Sequence, residues 1–284
     1  MLKSMSSGVS GLRSHQTMLD VIANNVANVN TVGFKSSRVV FTDVYYQTLS
    51  AANGATATSG GTNASQIGSG MTISTIDLLN TQGGFSQTDK LTDLYVSGEG
   101  YFIVKDSTGA TKYTRVGNLK FDDQGNLTDA NGNFIMGENG APTLSFDPSN
   151  PTAIALSDLA PIKVNLASNS SISIGSNGTI TGVDNTGAVQ TLGRIFMASF
   201  ANPDGLSQEG SLYMGATGSS GAPMISNPGS TIAGKLIAGG LEQSNVDLSQ
   251  QLTNMIIAER GFQANSRVIT TSDEILQDLV NLKR

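Results

Sequence analysis

His15 is the single histidine in the chain and the only imidazole available for acid–base or metal chemistry. It sits beside an apolar helical stripe, where a packing or surface role outweighs a catalytic one. Asp122-Asp123 in KFDDQGNLTD suggests a cation loop. Such a loop needs a ladder of alternating oxygen ligands ending in glutamate, which is missing, so the pair reads as a hairpin turn. GEG at 98–100 and GGLEQSN at 239–245 carry glycines but lack the lysine and the context of a phosphate loop. Arg260-Gly261 reads equally as a specific contact and as a solvated arginine beside a tolerated helical glycine. Cysteine is absent, which excludes disulfides, thiolate zinc sites and thiol catalysis. The residues assign no catalytic group, no metal and no cofactor, and the expectation is that this is not an enzyme.

The chemistry that remains is that of uncharged amides. Residues 23–35 read ANNVANVNTVGFK, with Asn24, Asn25 and Asn28 on one stripe about 100° wide beside Ile22, Val26 and Val29. Asparagine is a mediocre helix former, so a face meant for bulk water does better with lysine and glutamate. A face packed among identical copies cannot carry like charges, whereas amides donate and accept without charge. The stripe is therefore expected between subunits. The alternative is a frayed polar helix end with asparagine caps.

Composition points the same way. Of 284 residues only 13% are charged, about half the usual share of roughly 25%, and 33 are glycine. A surface so poor in charge suits a subunit that lives inside an assembly. The net charge of −6 argues against nucleic-acid binding, and the short apolar runs against membrane insertion or a cleaved signal peptide.

The elements that would position these residues fall into three zones. In the first thirty residues, Leu2, Met5, Val9, Leu12, Leu19, Ala23 and Val26 follow heptad spacing, with Gln16 filling the gap. Gly8 and Gly11 weaken that helix unless another backbone must approach closely. From Val246 onward a second seam runs through Leu248, Leu252, Met255, Phe262, Ile269, Leu276 and Val280, with Asn245 or Asp247 as N-cap. Between them, runs such as LYVSG, YFIVK and RIFMASF alternate with Asn131-Gly132, Asn139-Gly140 and Asn177-Gly178, the signature of short strands and hairpins. The expected fold is α+β and discontinuous: a mainly β domain plus a coiled coil formed by the N- and C-terminal segments. The expected boundaries are 1–35 with 241–284 for the coiled coil, 36–70 for a partly flexible connection, and 71–240 for the β domain. Antiparallel pairing with partner indices adding to about 285 would set Arg13 against Asp273 and Glu274, and Asp20 against Arg267. A stalk of two helices leaves much surface wet and gains stability by packing against copies of itself, and head-to-tail contacts that do not close give helical filaments.

Three long segments carry a resemblance. SGVSGLRSHQTMLDVIANNVANVNTVGFKSSRVVF at 7–41, LYVSGEGYFIVKDSTGATKYTRVGNLKFDDQGNLTDANGNFIMG at 94–137 and NVDLSQQLTNMIIAERGFQANSRVITTSDEILQDLVNLKR at 245–284 resemble the flagellar rod and hook family, in that family's order. Within it, SQIGSGM at 65–71 and the end of the last helix look most like the hook subunit, with the straight distal rod as the alternative. The resemblance implies a hollow helical tube, its core lined by the terminal helices and its wall built from β domains. For a hook that tube is bent and acts as a universal joint between motor and filament. It implies identical subunits, the distal rod, the hook cap and the hook–filament junction proteins as partners, and no nucleic acid. It also implies passage through the flagellar type III export apparatus to an extracellular position, without a cleaved signal. Phe41 and Tyr45 in FTDVY fit that family's export spacing, against two ordinary apolar contacts as the alternative. A chain of this length is expected to hold a single β domain. A secreted coiled-coil adhesin is the weaker alternative; a glycan-cleaving enzyme would need convergent carboxylates and more aromatics.

Overall fold

The apolar periodicity at the two ends resolves into two helices, α1 (Leu2–Ala27) and α2 (Leu248–Asn281). The N-cap of α2 is Asp247, whose carboxylate accepts from the backbone N–H groups of Ser249 and Gln250. The computed structural model describes residues 2–56, 60–141, 143–144, 154–166 and 169–282. They divide into unit 1, Met1–Val29 with Ser36–Leu79 and Val246–Arg284, and unit 2, Asn30–Lys35 with Asn80–Asn245. The chain is thus α+β, with mainly β structure between paired terminal helices.

In unit 1 the helices run antiparallel. Gly11 meets Asn265, His15 meets Gly261 and Asn25 meets Gln251, so partner indices add to 276 rather than 285. The nine-residue offset arises because the helices differ in length, 26 residues against 34. The C-terminal turns of α2 run on past the start of α1. The charge pairs expected from a flush register do not form: among the described residues no ion pair involves Arg13, Asp20, Arg267, Asp273 or Glu274.

Residues 36–70 are not a connecting segment but most of a two-stranded ribbon. β1 (Ser37–Asp43) pairs with β4 (Met71–Leu78), and β2 (Tyr46–Ser50) pairs with β3 (Ser65–Gly68). Val44 to Gly70 and Ser69 to Tyr45 hydrogen bonds join the two pairs into one ladder, and an Asn53–Thr62 bridge lies toward its tip. The base of the ribbon packs on α1, with Phe41 against His15 and the Met71 N–H on Ser10 Oγ. The strands β2 and β3 are exposed along their whole length.

Unit 2 holds the larger core, from Leu94, Val96, Phe102, Val104 and Leu119 through Leu127, Ile135, Ile162, Ile180, Ile195 and Met197. Its main sheet runs in space Asn169–Ile174, Thr179–Asp184, Val189–Ile195, Phe134–Asn139, Tyr101–Lys105, Thr111–Thr114, Tyr213–Gly215 and Ser207–Gly210. Every pairing among the described residues is antiparallel, and the strands beyond Phe134–Asn139 continue this same sheet. Tyr101–Val104 is buried on both faces, which is why YFIVK reads as an unbroken apolar run.

One turn recurs in DSTGA, DDQGN, DANGN and DNTGA at 106–110, 122–126, 129–133 and 184–188. The glycine N–H returns to the first aspartate's carbonyl, and that aspartate's N–H reaches the fifth residue's carbonyl. Each glycine has φ between 82° and 84°, the left-handed residue that follows a type I turn in a hairpin. Asp122 Oδ1 accepts from the N–H groups of Gln124 and Asn126, at 3.0 and 2.6 Å. The Asn126 side-chain Nδ2, donating to Oδ2 at 2.8 Å, leads these backbone bonds in holding the carboxyl below the ordinary range. The aspartate pair is turn chemistry.

Candidate functional site

The line of contact between α1 and α2 is made of small and polar residues. On α1 the innermost positions are Gly8, Gly11, Ser14, Ile22 and Asn25; on α2 they include Gln251, Ala258, Gly261, Asn265 and Ser272. A Cβ on Gly11 would lie 2.7 Å from the Asn265 amide nitrogen, and one on Gly261 2.6 Å from the His15 ring. The glycines therefore make room for side chains of the facing helix, the Asn265 amide and the His15 ring. His15 lies in the same junction, its ring tilted 55° to that of Phe41 with centroids 5.8 Å apart, and its buried Nδ1 has no hydrogen-bond partner among the described residues.

The heptad stripes do not form that line. On α1 the stripe is rotated from it by one residue, about 100° around the helix, whereas on α2 Ile269 still lies against Gly8. Met5, Leu12, Leu19 and Val26 on α1, and Met255, Ile269 and Leu276 on α2, are half-buried. Val9, Leu248, Leu252, Phe262 and Val280 are exposed, and the side chain of Leu2 lies outside the described residues. With Ile256, Ile257, Val268, Ile275, Leu279 and the 82% exposed Leu282 they give α2 an open apolar surface. Unpartnered aliphatics at this density mark a surface built to be covered.

The three asparagines separate. Asn25 is 1% exposed: its Nδ2 donates to Ser37 O at 2.7 Å and to Gln251 Oε1 at 3.3 Å, and Ser37 N–H donates to its Oδ1 at 3.0 Å. That amide joins α1, α2 and β1 within one chain, which corrects its expected place between subunits. Asn24 is exposed, and the half-buried Asn28 donates from Nδ2 to Asn24 O. Phe41 and Tyr45 also part company, Phe41 packing on His15 while Tyr45 is 70% exposed.

Unit 2 contains a buried charge cluster that sequence reasoning missed. Glu242, 1% exposed, receives Lys35 Nζ at 2.5 Å on Oε1 and Arg115 Nε at 2.8 Å on Oε2. The Gly83 N–H also donates to Oε1, at 2.8 Å. Lys35 donates further to Thr81 O, and Arg115 to the carbonyls of Gly98 and Gly100. Burial alone would raise the Glu242 pKa, but the Arg115 charge and the Lys35 and Gly83 bonds outweigh it and hold the carboxyl below its usual range. One carboxylate serves two cations, further N–H groups are taken by backbone carbonyls, and burial pushes the Lys35 pKa down despite the Glu242 bond; the cluster is a clamp rather than a reactive centre. The available signal was scarcity: in a chain with few charges, Lys35 and Glu242 flank the inner ends of the two helices.

Three family descriptions match the chain: flagella basal body rod protein at residues 5–35, flagellar hook protein FlgE/F/G D1 domain at 95–182, and flagellar basal body rod FlgEFG protein C-terminal at 237–282. Among whole proteins, the flagellar basal-body rod protein FlgG of Bacillus subtilis is 45% identical over 285 residues, covering all of both chains. The flagellar hook protein FlgE of Borreliella burgdorferi is 30% identical over 442 residues, again covering all of both chains. The flagellar basal-body rod protein FlgG of Caulobacter vibrioides is 32% identical over 284 residues, with 99% and 100% coverage.

Proposed function

We propose that this chain, which belongs to the flagellar rod and hook protein family, is a subunit of the straight distal rod of the basal body. The family is one of structural proteins of the motility apparatus and not of enzymes. The observation that carries the rod reading is length. The match to the Bacillus subtilis rod protein spans 285 positions end to end, whereas the match to the hook protein must stretch 284 residues across 442. Those insertions have no counterpart in this chain. The hook assignment implied by SQIGSGM therefore yields to its alternative.

As a rod subunit the chain polymerises through the open aliphatic surface of α2 and the matching side of α1, each copy covering the next. The exposed ribbon of β2 and β3, with Tyr46, Leu49 and Ile67 bare, also becomes stable when neighbours cover it, since an isolated two-stranded hairpin is marginal in water. Partners are identical subunits and the adjoining rod and hook proteins, reached through the flagellar export apparatus, with Phe41 and Tyr45 as the candidate export signal. Electron microscopy of basal bodies from a strain lacking the gene tests the assignment. Truncated rods are expected; complete rods without a hook would overturn it.

A further inference from the structure

The chain has four Asn-Gly pairs, at 53–54, 131–132, 139–140 and 177–178. In this dipeptide the glycine nitrogen can attack the asparagine Cγ, because no Cβ crowds its approach. In three of the pairs that nitrogen is occupied: Gly132 N–H donates to Asp129 O at 3.2 Å, Gly140 to Leu192 O at 2.8 Å and Gly178 to Gly175 O at 2.9 Å. Their asparagine side chains are held as well. Asn131 Nδ2 donates to the Tyr213 hydroxyl, Asn139 bonds Pro161 O and the Lys163 N–H, and Asn177 Oδ1 accepts from the Thr179 N–H and hydroxyl.

Asn53-Gly54 differs on every count. Asn53 is exposed, its backbone is fixed by the pair of bonds to Thr62, and its side chain has no hydrogen-bond partner among the described residues. Gly54 has no hydrogen bond among the described residues, and nothing lies within 4 Å of the place its Cβ would occupy.

We propose that Asn53 is a site of spontaneous covalent modification, converting through a cyclic imide to aspartate and isoaspartate with water as the only co-reactant. The Gly54 nitrogen forms a bond to Asn53 Cγ, the Cγ–Nδ2 bond breaks, and ammonia leaves carrying the proton lost by the Gly54 N–H. Water then opens the imide at either carbonyl. One product is a carboxylate in residues 44–76, a stretch without a charged residue. The other routes the main chain through Cβ and Cγ, lengthening it by one atom at the pair that bridges Thr62. Either change falls on the ribbon.

The test incubates the folded full-length protein at neutral to mildly alkaline pH, followed by peptide mapping with mass spectrometry and an isoaspartyl-specific methylation assay. All four pairs report from one sample. Asn53 is expected to convert at least about tenfold faster than the other three, the scale set by releasing an N–H from a rigid turn. In concentrated urea the four rates should converge. Gly54→Ala, which the open space accommodates, should suppress conversion at Asn53 while leaving circular dichroism and melting unchanged. Equal rates at the four pairs in folded protein, or an Asn53 that persists while the denatured chain converts, would overturn the proposal.

Discussion

Glu242 shows how one residue fixes a neighbourhood. Its carboxylate stands between Lys35 and Arg115, and among the described residues neither cation has another acid at bonding distance. Glu242→Gln removes the compensating charge and leaves two buried cations, a change expected to cost unit 2 about 3–5 kcal/mol. Denaturant titration followed by Tyr fluorescence would read it as a lowered midpoint with unchanged slope. Acid should act in the same direction. Glu242 and Glu138 have folded pKa values below their unfolded ones, Glu138 because the Thr143 and Leu144 bonds and the Arg194 charge override a burial effect that opposes them. Their contribution is complete above the unfolded carboxyl range, about pH 4–5, and is lost as pH falls through the depressed folded values. Midpoints measured from pH 7 to 3 should therefore drop most steeply at the acid end, and more shallowly in Glu242→Gln. Little of this was legible beforehand, because Lys35, Arg115 and Glu242 share no local pattern and meet only when distant strands close.

At the level of elements, the helices and their stop signals were legible and their facing was not. Heptad spacing located α1 and α2, and Asp247 capped where a capping residue was expected. The assumption that large aliphatics mark the intramolecular seam failed, because the closest approach belongs to Gly8, Gly11, Ala258 and Gly261. Small residues make room for the Asn265 amide and the His15 ring, and the aliphatic stripe beside them stays open. A separate assumption, that the two chain ends lie flush, put the register nine residues out, although the second seam, Leu248 to Val280, was already the longer. Ile275 and Leu279, on the part of α2 that runs past α1, carry the clearest consequence. Replacing both with serine should leave helicity and the melting of unit 2 unchanged while removing self-association at high concentration, read by light scattering. Burial of such side chains is worth about 1.5–3 kcal/mol each per contact formed, so the loss should be large. Persistent polymer from the double variant would place the assembly contacts elsewhere.

Across the whole molecule the two units are unequal in what they bury. Unit 2 closes a contiguous core around Phe102 and Met197, whereas unit 1 leaves many of its aliphatics in contact with water. Calorimetry on dilute protein is expected to resolve two transitions, the lower one assigned to unit 1 and rising with protein concentration. A single concentration-independent transition would contradict this division. The β organisation was legible because turn chemistry is local: Asn131-Gly132 and Asn177-Gly178 fall in turns between paired strands, where Gly132 N–H returns to Asp129 O and Gly178 N–H to Gly175 O. Which strands then become neighbours is a long-range matter, and the pairing of Phe85–Gln87 with Gly240–Glu242 has no signature in either segment.

The 207-residue gap between Lys35 and Glu242 has a kinetic meaning. A chain that emerges N-terminus first exposes Lys35 and then Arg115 long before their shared counter-ion. Leu94–Ser97 likewise waits for Lys235–Ala238. The central hairpins can form early, but the sheet margins and the clamp stay unfinished until almost the last residues have appeared. Closure of unit 2 therefore waits on residues 235–242, which emerge just ahead of α2, so it comes late, when only the C-terminal helix is still in transit.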